Sequence, residues 1–486
     1  MWRSGAKRGQ RCFFRDRTMA FCAPVPPPRA SPAACEGQSD MTDMTRRTAL
    51  TALTVAATAA AGLPAAIAAA QPPRRSWPER FVWGTATAAH QIEGNNVGSD
   101  YWLLEHLPGT NFKEPSGDAC DSWNRWREDV AMLRELGVTT YRFSIEWARI
   151  EPEPGAWSLA TLDQYRRQCA ALREAGILPI VTFHHFTSPR WIAAQGGWEN
   201  PDTADRFARY AERAARAIGD LIGAACTLNE PNAQVTSYVM RGSQPFAGEA
   251  AIIAAARRAL GSDRFGSYFM GDSFKVRDVC LAAHARGRAA IKSVMPQLKV
   301  GMTLALQDLV PTPGGEALHK RIFDNARALF YAAAAKDDFL GVQPYMRYRI
   351  GPAGYLRAPD GVPLNASGAE ASPDVISAVL KEAWRHARVP LFVTENGIET
   401  EDEALRERHL AETLDHLHTT IAGGIPVLGY IHWSLMDNFE WRSGYGPRFG
   451  LYAVDRTTFA RRAKPAAARY AALVAAARPV RIEGLL

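Results

Sequence analysis

Two glutamates stand where solubility has no need of a charge. In LFVTENG, Leu391 to Gly397, four apolar or β-branched residues lead straight into Glu395. In CTLNEP, Cys226 to Pro231, Glu230 leaves an apolar run in the same way. Each stretch reads as a short buried strand that delivers a carboxyl to a loop mouth. Facing one another across a pocket, two carboxyls can divide the work of acetal cleavage. One gives a proton to the leaving oxygen and the other supplies electron density to the sugar carbon, provided their surroundings drive their pKa values apart. A gap of about 5–5.5 Å lets the second carboxylate attack directly and retains configuration, whereas a wider gap admits water and inverts it. One strand-end carboxyl alone could equally cap a helix or pair with an arginine. Two in matching contexts argue for a site.

Something must hold them there. Apolar runs at Phe81–Thr85, Thr140–Ile145, Leu178–His184, Ala225–Asn229, Val300–Leu306, Phe339–Gln343, Leu391–Glu395 and Val427–Trp433 read as strands. Between them lie amphipathic stretches at Ser122–Leu136, Leu159–Ala175, Thr203–Gly219, Val276–Val294, Glu316–Lys336, Pro373–Ala387 and Glu403–Ala422, with a last helix at Lys464–Ala477. Eight strands alternating with helices predict the α/β class and a single (β/α)8 TIM barrel. An open doubly wound sheet is disfavoured, because no G-x-G-x-x-G follows the first strand. Barrel chemistry sits at the C-terminal ends of the strands, and the polar residues fall there. Gln91 and Glu93 follow the first strand and Arg142 lies in the second. His184 and His185 close the third, Asn229 and Glu230 the fourth. Tyr345 follows the sixth, Glu395 ends the seventh and Trp433 the eighth. Adjacent strand residues point to opposite faces, so His184 and His185 are not expected to share a metal ion.

The formal charge of +7 overstates the basicity of the folded part. Residues 1–70 hold nine of the 57 Lys/Arg and four of the 50 Asp/Glu, so 48 bases face 46 acids in the remainder. That leaves no basic stripe for nucleic acid. Of seven Cys, three (Cys12, Cys22, Cys35) lie in the leader, and the others show neither C-x-x-C nor metal spacing. Isolated buried thiols are expected. Residues 1–40 are Arg-, Pro- and Cys-rich without period and read as an unstructured leader or a start codon placed too far upstream. Residues 41–70 read as a twin-arginine export signal: Arg46-Arg47 precede an Ala-rich apolar run ending in small residues. Cleavage near Ala69–Gln71 would release a periplasmic or secreted chain without a membrane span, and residues 71–486 would form the barrel. Many of the 13 Trp fall in turn-rich stretches. There they suit stacking on the apolar face of a sugar ring as well as ordinary packing.

Six motifs, in order from Phe81 to Ala477, resemble those of glycoside hydrolase family 1, the β-glucosidase family. FVWGTATAAHQIEG (Phe81–Gly94) resembles its opening signature and YRFSIEWARIEPEPG (Tyr141–Gly155) its second-strand block. TLNEP (Thr227–Pro231) resembles the acid/base motif and TENG (Thr394–Gly397) the nucleophile motif. WSLMDNFEW (Trp433–Trp441) and RFGLYAVD (Arg448–Asp455) resemble the late sugar-binding block. The resemblance implies Glu395 as nucleophile and Glu230 as general acid/base, with Arg142 and Tyr345 keeping Glu395 ionised. It implies that Asn229 bonds the sugar 2-hydroxyl. Gln91, His185, Glu440 and Trp441 would bind the other hydroxyls, Trp433 would stack under the ring and Phe449 would wall the region near C6. The implied substrate is a small-molecule β-glucoside, with galactosides and fucosides as alternatives, and neither cofactor nor metal is called for.

The chain also departs from the family pattern. His90 replaces a Tyr, His184-His185-Phe186-Thr187 replaces Tyr-His-Trp-Asp, and Gln343-Pro344 stands where Asn is common. These changes mark a divergent member and bear on substrate more than on chemistry. Glu440 followed by Trp441 argues against 6-phosphorylated sugars. Two other readings stay open: transfer of the sugar to an alcohol or lipid, and a catalytically silent sugar-binding barrel. The leaving-group side falls to two long loops, Gly242–Lys275 and Arg347–Ser372, whose aromatics suit an aryl aglycone or simple loop packing.

Overall fold

The computed structural model describes residues 76–480 and Leu486. The expected leader, the export signal and its cleavage site lie outside the described residues. Eleven strands concern the site. They are β1 (Val82–Ala86), β2 (Thr140–Ser144), β3 (Leu178–His184), β4 (Ala224–Asn229), β5 (Lys299–Ala305), β6 (Asp308–Pro311), β7 (Phe339–Gln343), β8 (Arg347–Gly351), β9 (Gly354–Leu356), β10 (Leu391–Val393) and β11 (Val427–Trp433). Eight of them close a parallel barrel in the order β1-β11-β10-β7-β5-β4-β3-β2, and β6, β8 and β9 form a small separate sheet.

The barrel strands are continuous apolar runs because both of their faces are covered. Inside, Val82, Leu178, Ile180, Cys226, Phe339, Phe392 and Ile431 fill the lumen, with Trp433 at its upper end. Outside, Leu133, Val181, Leu228, Leu340 and Leu414 pack between the strands and the helix ring. The helices start and stop where local chemistry dictates. Asp402 accepts a hydrogen bond from Leu405 N at 3.0 Å to cap Glu403–Ala422. Gly137, at φ 67°, ends Ser122–Leu136 in the left-handed conformation that glycine adopts without penalty.

Three readings need correction. The helix expected over Glu316–Lys336 is interrupted by a π-helical turn at Asp324–Ala328. There the buried Arg327 donates twice to Glu382 at 2.7 Å and also reaches the Gln307 carbonyl, a side-chain demand that periodicity cannot display. The stretch Gly242–Lys275 contains the helix Glu249–Leu260, and Arg347–Ser372 contains the β8–β9 hairpin, so neither is a plain loop. The seventh barrel strand ends at Val393, so Glu395 lies two residues past it. Thr394 N still donates to the Val342 carbonyl at 3.1 Å, after which the chain turns into the mouth. Cys120, Cys169, Cys226 and Cys280 are buried free thiols, as expected. No helix among the described residues is long and apolar enough to cross a membrane.

Candidate active site

Glu395 is 4% exposed and held from two sides. Arg142 Nη1, from β2, donates to Oε1 at 2.5 Å, and Tyr345 Oη donates to Oε2 at 2.6 Å. Tyr345 is itself anchored: its backbone N–H and that of Met346 both donate to Gln307 Oε1 at 3.0 Å. Because the Gln307 carbonyl accepts from Arg327, the π-helical turn supports the tyrosine through one intervening residue. Gly397 passes so close to the Trp433 carbonyl that any Cβ there would collide with it, which accounts for the glycine of TENG. Trp433 N in turn donates to the Asn396 carbonyl at 2.9 Å. The seventh-strand loop and the eighth strand are thereby locked together.

Glu230 leaves β4 with φ 48°, a left-handed conformation uncommon for a residue with a side chain. Its backbone N–H donates to the Thr303 carbonyl of β5 at 2.8 Å, holding that turn. The ladder between β4 and β5 shifts register between Cys226 and Asn229, a local irregularity of the kind that re-aims side chains beside active sites. No described residue donates a hydrogen bond to the Glu230 carboxyl. Burial and the nearby negative charge of Glu395 push it up to about 8, with Arg142 opposing. Burial also pushes Glu395 upward, but Arg142 and the Tyr345 hydroxyl pull it back. Glu395 therefore loses its proton first, and its charge then keeps the proton on Glu230.

Asn229 sits between them in the network. Its Oδ1 accepts from Arg142 Nη2 at 2.7 Å, Thr303 Oγ1 at 2.9 Å and Gln343 Nε2 at 2.9 Å. Its Nδ2 lies 3.1 Å from His185 Nε2. His185 is neutral, because burial and the charges of Arg142 and His184 pull its pKa well down. The two histidines do face opposite ways. His184 bonds Ser188 Oγ at 3.0 Å and packs on Trp198, whereas His185 stacks between Trp433 and Trp441, 5.9 Å from each.

The far wall carries Gln91, whose Nε2 donates to Asn438 Oδ1 at 2.8 Å and to the Phe439 carbonyl at 2.7 Å, and lies 3.4 Å from Glu440 Oε2. Gln91 Oε1 and Glu440 Oε1 have no protein partner. Burial pushes Glu440 up to about 8, against the Trp433 indole that hydrogen-bonds it. Buried polar atoms without partners are costly, and these two are suited to sugar hydroxyls. Phe449 packs edge-on against Tyr345 at 6.0 Å. All eleven residues expected at the site thus belong to one network around the barrel mouth. Glu93 does not join it: it turns outward to Arg149 at 2.9 Å and Tyr165.

Besides Gln307 and Asn438, three further residues contribute that the sequence did not place at the site. Thr303 on the fifth strand had one available signal, a polar side chain in an apolar run opposite Asn229 in the ladder. Tyr268 donates to the Asn229 carbonyl at 3.0 Å from a loop with no motif. His90 hydrogen-bonds Glu105 at 2.7 Å and lies parallel to Trp441 at 5.7 Å, so a hydrogen-bonded His–Glu pair backs that indole. The residue change at His90 was visible, but its partner was not.

A closed α/β barrel whose mouth holds two carboxyls of unlike acidity, one gripped by a buried arginine, defines a class: barrel enzymes that cut glycosidic bonds. The match to the model of glycosyl hydrolase family 1 over residues 73–345 and 366–478 narrows this to a family, and the chain belongs to it as a glycoside hydrolase. Beta-glucosidase A of Thermotoga maritima is 30% identical over 439 residues, covering 79% of this chain and 94% of that protein. The crystal structure of beta-glycosidase BGL167 is 46% identical with a TM-score of 0.80, covering 84% and 99% of the two chains. The galactolipid galactosyltransferase SFR2 of Arabidopsis thaliana is 28% identical over 388 residues, 77% of this chain and 60% of that protein.

Proposed function

We propose that this chain is a retaining β-glycosidase that removes a nonreducing-end β-D-glucosyl residue, with galactosyl and fucosyl residues as secondary substrates. In the first step a Glu395 oxygen attacks the anomeric carbon and the bond to the aglycone oxygen breaks. Glu230 gives its proton to that oxygen, so the aglycone leaves as an alcohol. Forming the glycosyl ester removes the charge on Glu395 that had kept Glu230 protonated. Glu230, now a carboxylate of lower pKa, takes a proton from water as the water oxygen attacks the same carbon and expels Glu395. Asn229 would hold the 2-hydroxyl, Gln91, His185, Glu440 and Trp441 the remaining hydroxyls, Trp433 the ring face, and Phe449 the region near C6.

The observation that carries this reading is the difference between the two carboxyls. Glu395 takes two charge-stabilising hydrogen bonds and Glu230 takes none. The β-glucosidase names of the relatives support the choice of sugar. A panel of nitrophenyl glycosides tests it, together with proton NMR of the first-formed sugar. Hydrolysis fastest on the β-glucoside, with the β-anomer appearing first, is the expected result. Inversion, or no turnover, would refute it.

The relative named for galactosyl transfer to a lipid favours a second reading, passage of the sugar to an acceptor alcohol. Product analysis with and without added alcohols separates the two. We also propose export, on the strength of Arg46-Arg47 and the apolar run after them. Fractionation of cells expressing the full chain, with Arg46 and Arg47 changed to Lys as control, tests it.

A further inference from the structure

Gln343 closes β7 two residues before Tyr345 and is fully buried. Its Nε2 is one of three donors that converge on Asn229 Oδ1. These donors decide which end of the Asn229 amide points where: a flipped amide would set its N–H groups against Arg142, which can only donate, and against Gln343 Nε2, whereas the Thr303 hydroxyl could accept instead. The NH2 end must therefore face His185. The Nε2 of that neutral ring accepts one N–H, which leaves the second free for a ligand. Gln343 Oε1 is buried without a protein partner. Its contact with Asn229 is made by the donor end. Asn, the residue common here in chains that this one resembles, is one methylene shorter.

We propose that Gln343 is a positioning residue, resting on the glycosidase reading above. By holding the Asn229 amide it aims the free N–H at the sugar 2-hydroxyl. It thereby sets how strongly the enzyme prefers a 2-hydroxylated sugar to a 2-deoxy sugar. Arg142 and Thr303 hold the same oxygen, but Arg142 also serves Glu395 and Thr303 is a strand residue packed into the barrel. Gln343 is thus the one of the three donors that can be altered for this purpose alone.

The test compares Gln343→Met, which keeps length and removes the donor, and Gln343→Asn, which keeps the donor at shorter reach. Both are measured against wild type by kcat/KM on nitrophenyl β-glucoside and on its 2-deoxy analogue. Gln343→Met should lose about tenfold on the glucoside and about threefold or less on the 2-deoxy sugar. Gln343→Asn should fall between it and wild type on the glucoside and match wild type on the analogue, which serves if the Met variant folds poorly. Equal losses on both substrates, or none on either, would overturn the assignment while leaving the glycosidase reading intact. A wild type that cleaves neither substrate would overturn both.

Discussion

Arg142 on β2 and Glu395 just past β10 come from elements separated by two barrel strands and meet at 2.5 Å, both with side chains almost wholly buried. The same guanidinium holds Asn229 with its other arm. One planar fork therefore fixes the attacking carboxylate and the residue preceding the proton donor, a task for which the point charge of lysine is poorly shaped.

Removing that fork has two consequences. Arg142→Met leaves a buried carboxylate without its cation, which costs about 3–5 kcal/mol of stability. The loss of positive charge also raises the Glu395 pKa, so the acidic limb of the kcat/KM profile moves to higher pH. Urea unfolding and a pH–rate profile check the two effects separately.

Glu230 must carry a proton for the first step, and its pKa lies at about 8. Activity should therefore fall as pH rises through about 8, and Glu230→Ala should lack that alkaline limb. The same variant should keep most of its kcat/KM on dinitrophenyl glucoside, whose leaving group needs no proton, but lose kcat there because no base activates the water, and lose kcat/KM on alkyl glucosides. Azide should restore turnover, attacking the ester on Glu395 and releasing β-glucosyl azide. Chromatography of the products checks this.

Glu440 offers a stability test. Its folded pKa of about 8 lies above the unfolded value of about 4.3. The native state therefore holds a proton that the unfolded chain releases at lower pH, and this contribution is full below about pH 4.3 and declines as pH rises toward 8. Glu440→Gln cannot lose a proton, so its Tm should gain on wild type between pH 5 and pH 8. Its KM for the glucoside should rise, because a carboxyl facing the sugar has been replaced.

Much of this was legible before any coordinates. Leu178–His184, Phe339–Gln343 and Val427–Trp433 were placed to the residue, because buried parallel strands are unbroken apolar runs between loop residues. The paired glutamates stood out as charges at the exits of such runs. What stayed hidden depends on partners distant in sequence. The grip of Gln343 on Asn229 spans 114 positions and that of Tyr268 on the Asn229 carbonyl spans 39. The π-helical turn carries the Arg327 that reaches Glu382, and past the short seventh strand Glu395 meets Arg142. Local pattern specifies the scaffold, whereas these bonds depend on the closed barrel.

The most direct measurement is mass spectrometry of protein treated with the dinitrophenyl glycoside of 2-deoxy-2-fluoroglucose. Fluorine beside the anomeric carbon slows both steps, and the activated leaving group rescues only the first, so an ester should accumulate. One fluoroglucosyl group on the peptide containing Glu395, and none in Glu395→Gln, is the predicted result. An adduct on any other residue, or full turnover by Glu395→Gln, would contradict it.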